Sequence, residues 1–255
     1  MTSDRVVRVE VVRGVATLTL DSPENRNALS RAMHAQLRTA LTDALADDAV
    51  RVVVLDHTGR VFCSGMDLSE AAGGSSDEQG VREFPELLGI VWSSPKPVVA
   101  VVRGPARAGG VGLAAACDVV VAGSSATFAF SEVRLGLVPA VISAVVLPRM
   151  VPHVVHRLML TGQVFDSAAA TAGGLVDVTV PDADVDAEVR AQLVQLTAGA
   201  PSALAETKRL LRARQGALAF DDLLELSARF FAGEEGQEGI AAFREKRAAR
   251  WVPAD

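Results

Sequence analysis

The chain has 255 residues, of which 49% are hydrophobic and 22% charged, and its formal net charge is −6. This composition is typical of an ordered protein with one large domain, or a domain with a small appendage. An acidic chain with no Tyr and two Trp has neither the basic surface nor the stacking rings that nucleic-acid binding uses. Arg103 and Arg107 interrupt the most apolar region, so we expect no membrane span.

The N-terminal residues lead directly into an alternating strand pattern, without the apolar segment of a signal peptide. The two cysteines are Cys63 and Cys117. We therefore expect a cytoplasmic protein with reduced thiols.

The first hundred residues alternate between strand and helix signals. Val6–Val12 and Val15–Leu20 flank Arg13-Gly14 and predict a β-hairpin. Ser30 is placed as the N-cap of an amphipathic helix, and Val52–Leu55 predicts a short buried strand. The Gly/Ser-rich stretch at 71–80 predicts a mobile loop over a functional site.

Strand, glycine turn and helix then recur without a constant period. Pro97–Val102 predicts a strand, residues 103–109 a turn, and Gly110–Ala116 a small-residue helix, with further strands at Val119–Ala122 and Thr127–Phe130. This order favours an α/β fold built as a coiled stack of ββα units. Four helices are predicted after residue 180, at 184–198, 202–214, 221–231 and 236–250. We place a core over residues 1–195 and a helical region over 196–255.

Two glycine-rich turns are the strongest functional signal. Phe62–Leu68 has Gly65 just before a predicted helix start, and Arg107–Leu113 has Gly109 and Gly110 at another. Helix N-termini present unpaired N–H groups, and glycine lets a ligand approach the backbone closely. Two such N–H groups directed at one carbonyl oxygen would form an oxyanion hole. The alternative is that these glycines only permit turns and tight packing.

The sequence resembles the crotonase (enoyl-CoA hydratase/isomerase) family over nearly its whole length. The resemblance is carried by Asn25–Leu29, the turn at 62–68, Lys96–Ala100, Gly104–Asp118, residues 127–139, Leu160–Gly162 with Ala172–Val176, and Ala242–Arg247. It implies a crotonase-type spiral of ββα units with a C-terminal helical trimerisation segment. It also implies acyl-CoA thioester substrates and assembly as homotrimers or dimers of trimers.

By the same resemblance, the oxyanion N–H groups fall on Met66 and Gly109, and a catalytic glutamate falls on Glu132. Hydratases of this family typically carry a second glutamate, at the position held here by Gly112. Gly112 and Pro139 are assigned to the acyl pocket. Gly112 can provide space for an acyl branch or an extra water, or it can allow close packing against a neighbouring strand.

A single carboxylate leaves several reactions open. It is enough for moving a double bond, which needs one base, and it can also add water if Glu132 both takes and returns the proton. The sequence at 109–113 and 131–143 resembles a branch of the family that contains hydratases of branched or glutaconyl-type enoyl-CoA esters, which use one glutamate. A hydratase is therefore expected first and an isomerase second. Another crotonase reaction and a non-catalytic acyl-CoA-binding protein also remain possible.

The resemblance also assigns the coenzyme A contacts. Arg26, beside Ala28, is expected to contact phosphate, and the backbone from Ser64 through Gly65 and Asp67 to Leu68 is expected to border the adenine. Phe243 and Lys246 match a C-terminal pair that in such trimers often reaches a neighbouring subunit's ligand. The alternative for Arg26 and Lys246 is a solvated surface charge. Coenzyme A is part of the substrate, and no metal or redox cofactor is expected.

Other motifs are set aside. Residues 110–115 match the dinucleotide pattern G-x-G-x-x-A, but seven residues separate them from the strand ending at Val102, whereas the pattern requires a tight turn. His153 and His156 have no third ligand at suitable spacing. We expect Cys63 to be a packed thiol, and Asp67 and Asp118 to brace helix ends.

Overall fold

A mostly parallel β-sheet lies at the centre of the fold. The computed structural model describes residues 5–71, 83–199, 201–213, 224–225, 228–229 and 231–247. The described strands are β1 (Val7–Val12), β2 (Val15–Leu20), β3 (Val52–His57), β4 (Val98–Val102), β5 (Ala106–Arg107), β6 (Val119–Gly123), β7 (Thr127–Ala129), β8 (Phe165–Asp166) and β9 (Val178–Val180). Within this part of the chain, one sheet has the order β1-β2-β3-β4-β6-β9 and a smaller one the order β5-β7-β8. β1 is antiparallel to β2, and the other pairs of the large sheet are parallel.

The helices cover both faces of this sheet. They are α1 (Arg31–Ala46), α2 (Leu68–Ala71), α3 (Glu83–Ser93), α4 (Gly109–Ala116), α5 (Ala140–Val146), α6 (Pro152–Thr161), α7 (Ser167–Ala172), α8 (Val185–Ala198), α9 (Pro201–Ala213) and α10 (Glu234–Glu245). Short 3₁₀ turns occur at Pro23–Asn25, Glu132–Leu135 and Asp182–Asp184. Among the described helices, none has the length and apolar character of a membrane-spanning segment.

Most predicted elements of the core are confirmed. The hairpin is present as β1 and β2, and the Ser30 hydroxyl caps α1 by accepting a hydrogen bond from the Met33 N–H at 3.2 Å. The small-residue helix is present as α4, which begins one residue earlier than predicted, at Gly109. The predicted loop at 71–80 lies outside the described residues after residue 71.

Alternation along the central strands separates two apolar cores, as expected for strands buried on both faces. In β4, Val98, Ala100 and Val102 face the main core with α1, α3 and α4. Val99 and Val101 face the other side, where they pack with Val185 and Val189 of α8. The sheet is therefore covered on both faces, and the carboxyl ends of its strands lead into the turns described below.

The C-terminal predictions are confirmed for α8 and α9, and the prediction of 236–250 is corrected at its end. Helix α10 stops at Glu245 because Lys246 adopts a left-handed conformation, with φ of 54°, and its N–H caps the last turn. The predicted helix at 221–231 falls largely outside the described residues, as do residues 248–250. Residue 195 lies inside α8, and the division into 1–195 and 196–255 stays a prediction, as does a trimerisation role for the C-terminal helices.

Helix α9 is anchored to the end of α4 by buried charges. The Asp118 carboxylate accepts hydrogen bonds from Lys208 Nζ at 2.7 Å, from the Arg212 guanidinium at 3.0 Å and from the Val98 N–H at 2.8 Å. Arg212 also donates to the Ala116 carbonyl and stacks over Trp92, with its Cζ 3.5 Å from the ring centroid. The cations thus lie at the C-terminal end of α4, where they complement the helix dipole. The prediction that Asp118 braces this turn is confirmed.

Candidate active site

The first glycine turn is held against the segment that precedes α1. The Leu29 N–H donates to the Gly65 carbonyl at 2.8 Å, and the Ser64 N–H donates to the Arg26 carbonyl at 3.1 Å. Asn27 is fully buried, and its side-chain amide donates to the carbonyls of Thr58 and Val61. These bonds fix the backbone at the point where Gly65, with φ of +88°, reverses the chain.

The second turn depends on an unusual alanine. Ala108 precedes α4 with φ of 47° and ψ of −116°, a conformation that L-residues rarely adopt. Its N–H donates to the Ala129 carbonyl at 3.0 Å, and its own carbonyl accepts from the Val111 and Gly112 N–H groups. The strained residue is therefore held from both sides, and the backbone N–H of Gly109 follows it at the start of the helix.

The two turns touch each other. A Cβ placed on Gly65 would lie 3.4 Å from the Gly109 nitrogen and 3.1 Å from the Ala108 Cβ. Within the described segments, we find no hydrogen bond donated by the backbone N–H of Met66 or of Gly109. Both residues line one cavity together with Glu132. This arrangement can present two backbone donors to a single oxygen atom.

Glu132 is the one ionisable side chain among the described residues that line this cavity. It begins the 3₁₀ turn that follows β7, and Gly136, with φ of 71°, closes that turn in a left-handed conformation. The side chain is buried, and its Oε2 has no hydrogen-bond partner among the described residues. Burial raises the pKa of the Glu132 carboxyl from 4.5 to about 7, because the charged form loses its hydration. A carboxyl with this pKa can both accept and return a proton near neutral pH.

The remainder of the cavity wall is mostly apolar and comes from distant parts of the chain. Of the predicted site residues, six line it: Ser64, Met66, Leu68, Gly109, Glu132 and Pro139. Sequence reasoning missed ten others: Phe84, Ala108, Ser131, Leu135, Leu137, Val138, Ala140, Val141, Ile142 and Phe231. The apolar run beside Glu132, from Leu135 to Ile142, could have indicated a wall. Phe84 and Phe231 gave no signal, because nothing local shows which distant segment a buried phenylalanine contacts.

The acyl-pocket assignment of Gly112 is corrected. A Cβ on Gly112 would lie 2.9 Å from the Cβ of Ile142, and closer still to its Cγ2. The space beside Gly112 is therefore filled by a side chain of α5, and Gly112 is not among the residues that line the cavity. Close packing, the alternative considered from the sequence, is what the structure shows, although the partner is a helix and not a strand.

The predicted coenzyme A residues lie around the first turn and on α10. Arg26 is exposed, with φ of 61°, and Ala28 is buried beside it. Asp67 braces the start of α2 as predicted, because its Oδ1 accepts hydrogen bonds from the N–H and the hydroxyl of Ser69. Phe243 and Lys246 are exposed at the end of α10. Among the predicted coenzyme A contacts, Arg26, Ala28, Gly65, Asp67, Phe243 and Lys246 lie outside the cavity wall.

The other candidate nucleophile and metal ligands considered from the sequence lie outside the cavity wall. Cys63 is fully buried, and desolvation raises the pKa of its thiol to about 12, so the predicted packed thiol is confirmed. His153 and His156 lie on α6. In the part of the chain that the structure describes, no three His, Cys, Asp or Glu side chains are grouped to hold a metal ion.

Comparison with known proteins identifies the family of the chain. The sequence profile of the enoyl-CoA hydratase/isomerase family matches residues 10–253. The chain belongs to this family. A relative from Thermus thermophilus that is named as an enoyl-CoA hydratase is 38% identical over 253 residues, which cover 95% of this chain and 100% of the relative.

Solved structures of crotonase-family enzymes share the fold. An enoyl-CoA hydratase from Mycobacterium avium superposes with a TM-score of 0.88 and 39% identity, covering 98% of this chain and 100% of that one. A methylmalonyl-CoA decarboxylase in complex with 2S-carboxypropyl-CoA superposes with a TM-score of 0.87 and 25% identity, covering 98% of this chain and 99% of that one. The expected crotonase-type spiral of ββα units is therefore confirmed.

Proposed function

We propose that this family member is an enoyl-CoA hydratase that adds water across the 2,3 double bond of an enoyl-CoA thioester, with Glu132 as its one catalytic carboxylate. The observation that carries the proposal is the buried Glu132 carboxyl, which lines the same cavity as the backbone donors of Met66 and Gly109. The hydratase names of relatives at 38% identity support the reaction type.

In the proposed mechanism, the N–H groups of Met66 and Gly109 donate hydrogen bonds to the thioester oxygen. Glu132 takes a proton from the water molecule while the oxygen of that water bonds to Cβ. The electron pair of the double bond moves towards the carbonyl and forms an enolate. The two donors stabilise that developing charge, and losing one such donor typically costs ~10²–10³ in rate. The protonated Glu132 then returns a proton to Cα, so that one water is added and the carboxylate is restored.

A Δ3-Δ2-enoyl-CoA isomerase is the second candidate. The observation that favours it is that Glu132 is the one carboxylate among the described residues that line the cavity. In this reaction Glu132 takes a proton from C2 of a 3-enoyl thioester, the double bond moves to C2–C3, and the same proton is delivered to C4. A non-catalytic acyl-CoA-binding homologue is the third candidate, although a pure binder has no need for a buried carboxyl beside the thioester.

For coenzyme A, we propose contacts from Arg26 and Ala28, from the backbone of Ser64, Gly65, Asp67 and Leu68, and from Phe243 and Lys246. The exposed guanidinium of Arg26 and ammonium of Lys246 suit a polyanionic ligand on an acidic protein. We further propose a cytoplasmic homotrimer or dimer of trimers, without a metal or redox cofactor. Pro139 is retained as an acyl-pocket residue, since it lines the cavity.

The experiment that tests this proposal separates turnover from binding. Glu132→Gln removes the proton-transfer group and keeps its size, so we expect hydration of crotonyl-CoA to fall by ~10²–10⁴-fold. The affinity for saturated butyryl-CoA should change little. Glu10→Gln, at an exposed position on β1, is the control and should retain full activity. An unchanged rate in Glu132→Gln would contradict the assignment of the base.

A further inference from the structure

The side chain of Ile142 forms a fixed wall of the cavity. Ile142 lies in the first turn of α5, is 3% exposed and lines the cavity. It packs directly on Gly112 of α4, where a Cβ would lie 2.9 Å from its own Cβ. A β-branched side chain has few alternative rotamers, so this contact fixes the position of its methyl groups.

The wall lies close to the place where a thioester carbonyl would bind. Gly109 and Gly112 are three residues apart in α4, and residues at this spacing are neighbours on one helix face, about 5–6 Å apart. Ile142 contacts Gly112, and the backbone N–H of Gly109 is the proposed donor to the carbonyl oxygen. An acyl group bound there therefore has Ile142 beside its first carbons.

The rest of the wall offers no partner for a charged acyl group. Among the described lining residues, the one ionisable side chain is Glu132, and the others are apolar or are Ser64 and Ser131. A carboxylate at the end of the acyl chain would lose its hydration without gaining a cation, and it would face the Glu132 carboxylate. The described part of the cavity thus favours an uncharged acyl group.

We propose that Ile142, packed on Gly112, is a specificity-determining residue that disfavours a branch at Cα of the acyl group, in a cavity whose described lining favours an uncharged chain. This inference rests on the proposed acyl-CoA function and deepens it. It differs from the sequence expectation of a branched or glutaconyl-type substrate, because the space that Gly112 was expected to provide is filled by Ile142.

The test compares acyl preference between variants. The wild-type protein should turn over crotonyl-CoA in preference to its 2-methyl homologue tiglyl-CoA and to glutaconyl-CoA. One additional methyl or methylene group in an apolar pocket typically changes kcat/KM by ~10–200-fold. Ile142→Ala should therefore raise the ratio of kcat/KM for tiglyl-CoA over crotonyl-CoA by at least ~10-fold. An unchanged ratio would overturn the proposal.

Val145→Ala is the matched control, since Val145 is fully buried on the same helix and outside the cavity wall. It removes a comparable amount of core and should leave the ratio unchanged. A rise in the ratio equal to that of Ile142→Ala would mean that loosening α5 is sufficient, and would also overturn the proposal.

A reciprocal pair of variants tests the contact itself. Gly112→Ala places a methyl group where Ile142 now packs and should push Ile142 into the cavity, which weakens butyryl-CoA binding by ~10-fold. The double variant G112A/I142A should recover that affinity, because neighbouring residues that share one space show non-additive effects. If adding Ile142→Ala does not restore the butyryl-CoA affinity lost in Gly112→Ala, the two residues do not share one space and the proposal is contradicted. If Gly112→Ala does not fold, the proposal is tested by the ratio of kcat/KM for tiglyl-CoA over crotonyl-CoA in Ile142→Ala.

Binding of saturated esters distinguishes failure of this inference from failure of the proposed function. If wild-type protein turns over none of the esters but binds butyryl-CoA, the hydratase proposal fails. The ratio of the binding affinities for 2-methylbutyryl-CoA and butyryl-CoA then tests, without turnover, whether Ile142 excludes a branch at Cα. A ratio that rises in Ile142→Ala supports the inference, and one that stays constant overturns it.

Discussion

Gly239 of α10 packs against the backbone carbonyl of Leu135, in the 3₁₀ turn that begins with Glu132. No Cβ fits at residue 239, because it would overlap the Leu135 carbonyl. Close by, Ile240, Phe231 and Leu137 form a small apolar cluster. The C-terminal helix therefore holds the turn that carries the proposed base, and Phe231 contributes to the cavity wall.

Gly239→Ala should both destabilise the protein and reduce its activity. The methyl group must displace α10 from the turn, which we expect to cost ~1–3 kcal/mol in the free energy of unfolding and to lower kcat. Gly89→Ala is the control, because a Cβ on Gly89 in α3 has no atom within 4 Å. That change should stabilise the protein by up to ~1 kcal/mol. Denaturant unfolding and steady-state kinetics of both variants test this, and equal behaviour would contradict the bracing role.

The raised pKa of Glu132 predicts a pH-dependent stability. Between about pH 4.5 and 7 the folded protein retains a proton on Glu132 that the unfolded chain releases. Stability is therefore highest below the ordinary pKa and falls as pH rises through about 7. Since one pKa unit corresponds to ~1.4 kcal/mol, the loss should be on the order of 3 kcal/mol.

Glu132→Gln removes this titration. Unfolding free energies at pH 5 and pH 8 should therefore differ more for wild-type protein than for the variant, and the variant should be the more stable of the two at pH 8. Parallel profiles for the two proteins would show that the Glu132 carboxyl is not held in a desolvated site.

Ala108→Gly should raise the stability of the folded protein or leave it unchanged, whereas a change from alanine to glycine usually destabilises. Ala108 has φ of 47° and ψ of −116°, which glycine adopts without steric cost, and such strain costs on the order of 1–3 kcal/mol. Ala144→Gly in α5 is the comparison, since an alanine in a right-handed helix loses ~1 kcal/mol on this change. Thermal unfolding should show a lower midpoint for Ala144→Gly and an equal or higher midpoint for Ala108→Gly, each compared with the wild-type protein. A similar destabilisation by both would argue against strain at Ala108.

Asp118→Asn should be strongly destabilising. Lys208 and Arg212 are largely buried and share this carboxylate, so its neutralisation leaves two buried cations without their counter-charge. Breaking a buried ion pair costs ~3–5 kcal/mol, whereas an exposed pair contributes ~0–1 kcal/mol. Glu206→Gln, which breaks the exposed pair with Arg209 on α9, is therefore the control. Chemical denaturation should separate the two variants clearly, and comparable midpoints would contradict the anchoring of α9.

The sequence predicts the local elements well and the long-range packing poorly. The hairpin, the Ser30 cap and α4 follow from alternation, capping and glycine placement, which are properties of neighbouring residues. Met66, Gly109 and Glu132 were found through the family resemblance, and they line one cavity.

What the sequence missed depends on contacts between distant segments. The Gly112–Ile142 contact joins two helices thirty residues apart, and its consequence for the cavity is visible only once α5 is placed on α4. Phe231 reaches the wall from the C-terminal region, although the ligand contacts expected within residues 196–255 were those of Phe243 and Lys246. The end of α10 at Glu245 was not predicted, because the helical periodicity gives no signal for the left-handed conformation of Lys246.

The most direct test of hydration by Glu132 is mass spectrometry of the products formed in D₂O from a panel of 2-enoyl and 3-enoyl CoA esters. We expect a product heavier by one water from unbranched 2-enoyl esters, formed ~10²–10⁴-fold more slowly by the Glu132→Gln variant. A product of unchanged formula with incorporated deuterium and a moved double bond would contradict hydration and assign the isomerase. Tight ester binding without any product would contradict catalysis and leave the acyl-CoA-binding homologue.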